Sequence, residues 1–156
     1  MPGEALLVGI ATVAVVVAGF AAIAPGIAPD AAHWTAGHRI RLRAIVSTSF
    51  NVTFEALLPA VLFPAFDDER ATLVVASAVV FAYLLAVIGV RFVQLRRAGA
   101  LRSRPVQLTV AAGVGATALL GLNALVFVSL TAYGLALLIQ LTVAAITFYS
   151  LLAGSD

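Results

Sequence analysis

The apolar segment at residues 106–153, which contains no charged residue, is the feature that most restricts the fold of this chain. As one straight helix it would be about 72 Å long, more than twice the roughly 30 Å of hydrocarbon in a bilayer. The stretch must therefore turn back on itself. Residues 129–134 combine hydroxyl side chains with Gly134, and a glycine that ends a helix favours a reversal there. We predict two membrane spans here, at 106–128 and 132–153.

Three further apolar segments are each long enough to cross a bilayer as a helix, for which about 20 residues are needed. These segments are residues 5–27, 40–66 and 71–93. The first begins after Glu4, and it is both too acidic at its start and too long for a signal peptide, so we interpret it as a span. Hydrophobic residues make up 63% of the chain and charged residues 10%, which excludes an ordinary soluble domain.

The sequence therefore predicts an all-α integral membrane protein with five transmembrane helices in a compact bundle. Residues 1–156 are expected to form a single transmembrane domain, because the segments between the spans are too short for a water-soluble domain. The first span is the one expected to lie at the periphery of the bundle. A lipid bilayer is accordingly the first partner that the sequence predicts.

The positions of the arginines predict how the bundle is oriented, because short cytoplasmic loops are enriched in basic residues. In a five-span chain one side of the membrane receives Arg39, Arg41, Arg43, Arg96, Arg97, Arg102 and Arg104. The acidic run that starts at Asp67 falls on the opposite side, as does Glu4. We expect an extracytoplasmic N-terminus, a cytoplasmic C-terminus and arginines that contact lipid headgroups, in a prokaryotic-type plasma membrane.

Several kinds of chemistry are disfavoured by the residues that are absent. The chain has no Cys, which excludes disulfides, thiolate metal sites and cysteine nucleophiles. His33 and His38 are five residues apart, unlike the four-residue spacing of a helical metal-binding pair, so we predict no metal site and no cofactor. No catalytic motif is present, and we expect that the protein is not an enzyme. The arginines beside the span ends explain the net charge of +2 without a nucleic-acid partner.

Glu55 is the one acidic residue deep inside an apolar segment. A charged side chain at the centre of a bilayer costs roughly 2.5 to 3.5 kcal/mol, so such a residue is a candidate for function. The helical rise from Ala44 places Glu55 about 16 Å into the membrane, near its midplane. Pro59 has no N–H to bond the carbonyl of Glu55, which predicts a helix kink and a free backbone acceptor beside the carboxyl.

A polar site is predicted around Glu55 from helical spacing and from depth in the membrane. Ser47, Thr48 and Asn51 share one side of the second span with Glu55. Residues at a similar depth on other spans are Tyr83, Thr117 and Gln140. Such a site could hold a proton or a small cation. Alternatively, a protonated Glu55 could form hydrogen bonds that only hold the helices together.

Small residues recur at four-residue spacing in the fourth predicted span, at Gly113, Thr117 and Gly121. Such a stripe allows the backbone of another helix to approach closely. The neighbouring helix can belong to the same chain or to a second copy in a homo-oligomer, and contact within the chain is favoured. Small-residue stripes are common in alanine-rich spans, which is why we do not take this one as evidence of a dimer.

Two functional hypotheses follow from these residues. The first is a small, oligomeric channel-like or transport-related protein in which the polar site around Glu55 handles a proton or a small cation. The alternative is a membrane scaffold or accessory subunit without catalytic activity, whose polar residues serve helix packing. The contacts that Glu55 makes inside the folded chain are the observation most relevant to this choice.

Overall fold

The computed structural model describes residues 3–27, 36–97 and 104–152, and these residues form five long helices. The helices are α1, Glu4–Ile27; α2, Ala36–Phe66; α3, Glu69–Arg97; α4, Arg104–Leu122; and α5, Leu130–Leu152. A short π-helix, Asn123–Phe127, continues α4. By length and composition, five segments could each cross a membrane. The prediction of an all-helical chain with five such segments is thus confirmed for the described residues.

The turn between α2 and α3 is built by two consecutive aspartates. Asp67 has φ 47°, a left-handed conformation that aspartate adopts more readily than most residues. The carboxylate of Asp68 accepts hydrogen bonds from the backbone N–H of Arg70 at 3.2 Å and of Ala71 at 3.0 Å. These bonds cap the first turn of α3, so the chain reverses where the polar residues separate two apolar segments.

The reversal between α4 and α5 lies earlier than the sequence predicted. The chain turns at Val128 and Ser129, and α5 has already begun at Leu130. Gly134 does not end a helix. It is buried inside α5, where an added Cβ would lie 3.4 Å from the side chain of Leu6 in α1. This glycine therefore serves a close contact between helices, which spacing along one helix could not reveal.

Four of the helices, α2 to α5, form a ring in which each contacts the next and α5 contacts α2. Among the described helices, α1 contacts only α2 and α5, so it lies outside the ring in the groove between them. Small side chains on α1 allow this contact to be close. The buried residues of α1 are Leu7, Ile10, Ala11, Ala14, Ala18, Ala21 and Ala24.

The outer surface of the bundle carries many large apolar side chains. Large hydrophobic side chains point away from the bundle on every helix, and several are more than two-thirds exposed, among them Phe54, Val61, Leu108 and Leu125. A soluble protein rarely exposes so much contiguous apolar surface. Surrounding lipid would cover these side chains, so the outer surface is compatible with a membrane-embedded protein.

Candidate functional site

Glu55 lies in the interior of the bundle, where α2 meets α5. Its side chain is 5% exposed. The side-chain amide of Gln140 in α5 donates a hydrogen bond from Nε2 to Oε2 of Glu55 at 2.8 Å. Gln140 is also buried. The structure thus brings together two of the residues that depth in the membrane had grouped, and it joins them directly rather than through other polar side chains.

The second carboxyl oxygen of Glu55, Oε1, is buried and has no hydrogen-bond partner in the described part of the chain. Leaving a buried polar group unsatisfied costs about 1 to 3 kcal/mol. The group that Glu55 does contact, the amide of Gln140, is neutral and offers no compensating charge. Oε1 is therefore the atom of this cluster at which a proton, a water molecule or a small cation would gain most by binding.

The backbone carbonyl of Glu55 is also bonded by α5. Pro59 lies within α2 and supplies no N–H for this carbonyl, as the sequence indicated. The hydroxyl of Tyr133 occupies the position instead and donates a hydrogen bond to the Glu55 carbonyl oxygen at 2.6 Å. Because Tyr133 and Gln140 are seven residues apart on one helix, they lie on the same side of α5, two turns from each other.

Tyr133 is the functional-site residue that the sequence reasoning missed. In the sequence Tyr133 falls within the predicted reversal at residues 129–134, and it is not among the predicted neighbours of Glu55. A signal was nevertheless present, because the freed carbonyl at Glu55 needs a donor and helical spacing places Tyr133 on the same side of α5 as Gln140. The residues of α5 that follow Tyr133 at intervals of three or four positions lie on one side of the helix and are buried: Ala136, Leu137, Gln140 and Ala144.

Three predicted neighbours on α2 do not join Glu55. Neither Ser47 nor Thr48 nor Asn51 bonds to its carboxyl, since Oε1 has no partner and Oε2 is bonded by Gln140. Ser47 is exposed, and the other two are half-buried. The face of α2 that packs into the bundle passes beside this polar stripe, through Ile45, Ser49, Val52, Ala56 and Pro59.

The two remaining predicted neighbours, Tyr83 and Thr117, also lie apart from Glu55. Tyr83 is 44% exposed and faces outward from α3. Thr117 is buried, but its hydroxyl donates to the carbonyl of Gly113 in its own helix at 2.8 Å. The prediction grouped these residues by depth, which fixes their level in the membrane but not the direction in which each helix turns them.

The small residues of α4 face α3. An added Cβ at Gly121 would lie 2.9 Å from the ring of Phe81, and one at Gly113 would lie 3.9 Å from Ile88. Gly121 in particular permits a contact that a larger residue would block. Two of the three residues of the predicted stripe therefore contact another helix of the same chain, which is the interpretation that the sequence favoured.

A second buried polar cluster lies at the α4–α5 reversal, and the sequence did not predict it. Asn123, fully buried, donates from Nδ2 to the hydroxyl of Ser77 in α3 at 2.9 Å. Its Oδ1 accepts from the N–H of Ser129 at 2.8 Å. Its backbone carbonyl accepts from the N–H of Val128 at 2.9 Å. Asn123 thus fixes the reversal and attaches it to α3.

The two ends of the bundle carry opposite charges. One end is basic, because α2 begins there, α3 ends there and α4 begins there. The arginines at this end are Arg39, Arg41 and Arg43 in α2, Arg91, Arg96 and Arg97 in α3, and Arg104 in α4. The other end has Glu4 in the first turn of α1 and Glu69 in that of α3, next to Asp67 and Asp68. Two predicted residues, Arg102 and His33, lie outside the described residues.

Comparison of the chain with protein-family models, with curated proteins and with solved structures finds no match. The function is therefore argued from the chemistry of the cluster itself. A single buried carboxyl with one neutral donor can exchange a proton or contribute one ligand to a cation. The phenol of Tyr133 is engaged by a backbone carbonyl, and in this cluster the carboxyl of Glu55 has a fully buried oxygen atom without a hydrogen-bond partner among the described residues.

Proposed function

We propose that this is a small integral membrane protein with a channel-like or transport-related function, in which the carboxyl of Glu55 takes up and releases a proton or binds a small cation. The supporting observation is the buried Oε1 atom, which has no partner among the described residues. Without a charged neighbour, the buried carboxyl is favoured in its neutral, protonated form. Hydration of the site would favour the ionised form, so opening and closing of the bundle would release and recapture a proton.

The same proposal includes the placement of the protein in its membrane. The N-terminus and the acidic end would face outward, and the C-terminus and the arginines would face the cytoplasm of a cell with a prokaryotic-type plasma membrane. The separation of charge between the two ends of the helices supports this orientation. We also propose that the protein self-associates, since half-buried Asn51 has no described partner at membrane depth and a polar side chain there favours contact with another helix.

A second candidate function is that of a membrane scaffold or accessory subunit without transport activity. It is favoured by the two hydrogen bonds that α5 makes to one residue of α2, from Tyr133 and from Gln140 to Glu55. Bonds of this kind hold membrane helices together and specify how they pack. In this account the carboxyl of Glu55 is a neutral acceptor and never changes its protonation state.

Proton flux through liposomes that contain the purified protein distinguishes the two candidates. If Glu55 carries protons, a pH gradient should dissipate faster with wild-type protein than in empty liposomes, and Glu55→Gln should abolish the difference. Glu69→Gln removes a carboxyl outside the bundle interior, at the start of α3, and should leave the flux unchanged. Folded wild-type protein that carries neither protons nor Na⁺ or K⁺ would refute the transport proposal.

Unfolding measurements in detergent test the packing role of the same residue. Glu55→Gln keeps an oxygen that can accept from Gln140, whereas Glu55→Leu removes it and leaves the buried amide without a partner. We expect Glu55→Leu to lower the free energy of unfolding by about 1 to 3 kcal/mol and Glu55→Gln to change it little. If the protein is a scaffold, Glu55→Leu should be less stable than Glu55→Gln, and the wild type should show no flux. If it is a transporter, Glu55→Gln should be stable but should have lost the flux of the wild type.

A further inference from the structure

The outward face of α3 carries a shallow groove that the polar cluster does not use. It has a volume of about 360 Å³, and we call it the α3 groove. Its lining consists of Tyr83, Ala86, Val87, Val90 and Arg91. All of these residues belong to the segment that could span a membrane, which ends at Val93. The groove is thus apolar along most of its length and cationic at one end.

The dimensions of the α3 groove suit a long apolar chain with a charged end. Tyr83 and Arg91 are eight residues apart, which corresponds to about 12 Å along the helix axis. Arg91 is exposed and lies two residues before the end of the span, so its long side chain can place the guanidinium at the level of the lipid headgroups. No hydrogen bond or ion pair within the described residues occupies this guanidinium.

The surroundings of Arg91 favour an anion supplied from outside the chain. Arg39, Arg43 and Arg96 are exposed at the same end of the bundle, and no Asp or Glu accompanies them in the described residues there. Two helices begin at this end, α2 and α4, and neither has an acidic residue in its first turn.

We propose that the α3 groove binds an anionic phospholipid, with one acyl chain along the apolar lining and the phosphate at Arg91. The groove provides apolar contact for the acyl chain, and Arg91 provides a positive charge for a headgroup with a net negative charge. A zwitterionic lipid could fill the same groove but would gain less from the arginine end. This proposal is independent of Glu55, because no residue of the groove touches the polar cluster by a hydrogen bond.

Lipid retention, measured by native mass spectrometry, tests the proposal on the full-length protein. Protein in detergent is equilibrated with equal amounts of phosphatidylglycerol and phosphatidylcholine, and the lipids that remain bound are counted. We expect wild-type protein to retain phosphatidylglycerol preferentially. Arg91→Gln should reduce this preference about fivefold, which corresponds to about 1 kcal/mol for one arginine near the membrane surface. Ala86→Phe fills the groove without changing charge and should reduce the retention of both lipids.

Arg70→Gln is the matched control, because Arg70 is an exposed arginine at the opposite end of the bundle. It should leave lipid retention unchanged, and all variants should unfold at the same temperature as wild type. The proposal is wrong if Arg91→Gln retains phosphatidylglycerol like wild type, or if Arg70→Gln loses as much as Arg91→Gln. It is also wrong if inorganic phosphate displaces the lipid, or if wild-type protein binds a second copy through this face and retains no lipid.

Discussion

Pro59 changes which group satisfies the backbone carbonyl of Glu55. In an uninterrupted helix the N–H four residues later would bond this carbonyl, but proline has none. The hydroxyl of Tyr133, which belongs to another helix, takes over that bond at 2.6 Å. A hydrogen bond that normally forms within one helix is thus replaced by a hydrogen bond between α5 and α2. Glu55 is therefore held at two points, by its backbone and by its carboxyl.

This exchange predicts that the effects of substitutions at positions 59 and 133 depend on each other. Tyr133→Phe leaves the Glu55 carbonyl without a donor, and we expect it to lower the free energy of unfolding by about 1 kcal/mol or more. In a Pro59→Ala background the helix regains its own N–H, so the same change should cost less. A double-mutant cycle by denaturant unfolding in detergent measures the coupling. Equal costs in both backgrounds would show that Tyr133 does not replace the missing N–H.

At the scale of the elements, the connection between α4 and α5 combines strain with strong local hydrogen bonding. Val128 has φ 44°, a conformation that is unfavourable for a β-branched residue. The chain accepts it there because Asn123 accepts hydrogen bonds from the backbone N–H of both turn residues, Val128 and Ser129, and donates one to Ser77 in α3. A π-helix immediately before the turn, Asn123–Phe127, gives these groups the spacing that they need.

Relief of this strain is predicted to stabilise the protein. Val128→Gly places a residue that adopts positive φ freely, and we expect the free energy of unfolding to rise by up to about 1 kcal/mol. As a comparison, Asn123→Ala removes the side chain that holds the turn and should lower it by about 1 to 3 kcal/mol. Both values can be measured by thermal or denaturant unfolding in detergent. Destabilisation by Val128→Gly would mean that the turn is not strained.

The elements were more predictable from the sequence than the contacts between them. Charges at Asp67, Asp68 and the arginines separate the apolar segments, so the ends of α2 and α3 follow from composition. The α4–α5 reversal lacks charges, and it was misplaced because the side chain of Asn123, rather than a glycine, determines it. The expected depth in the membrane grouped Gln140 with Glu55, and the two side chains share a hydrogen bond. Depth could not show that Tyr83 faces outward, because rotation about a helix axis depends on all of its neighbours.

For the whole molecule, the fold separates the charged residues into a basic end and an acidic end of the bundle. Of the eight arginines in the described residues, seven lie toward one end of the bundle, and Arg70 lies toward the other. A membrane potential and anionic lipids act on such an asymmetry as a whole. Orientation in the membrane is thus a prediction about the molecule rather than about any one residue.

Single-cysteine labelling tests this orientation cleanly, because the chain contains no native Cys. A cysteine at Asp67, between α2 and α3, should react with a membrane-impermeant maleimide in intact cells. A cysteine at Arg39, near the start of α2, should react only after the cells are permeabilised. The opposite pattern would reverse the proposed orientation, and labelling of both sites in intact cells would contradict the five-span arrangement.

The contact between Glu55 and Gln140 joins residues that are 85 positions apart. During synthesis α2 therefore leaves the ribosome long before α5 exists, and two complete helices must follow before the partners of Glu55 arrive. Throughout that interval the carboxyl and the carbonyl freed by Pro59 have to be accommodated by water, by lipid headgroups or by the insertion machinery. We therefore expect α2 to reach its final position in the hydrocarbon late in biogenesis, when the last helix inserts.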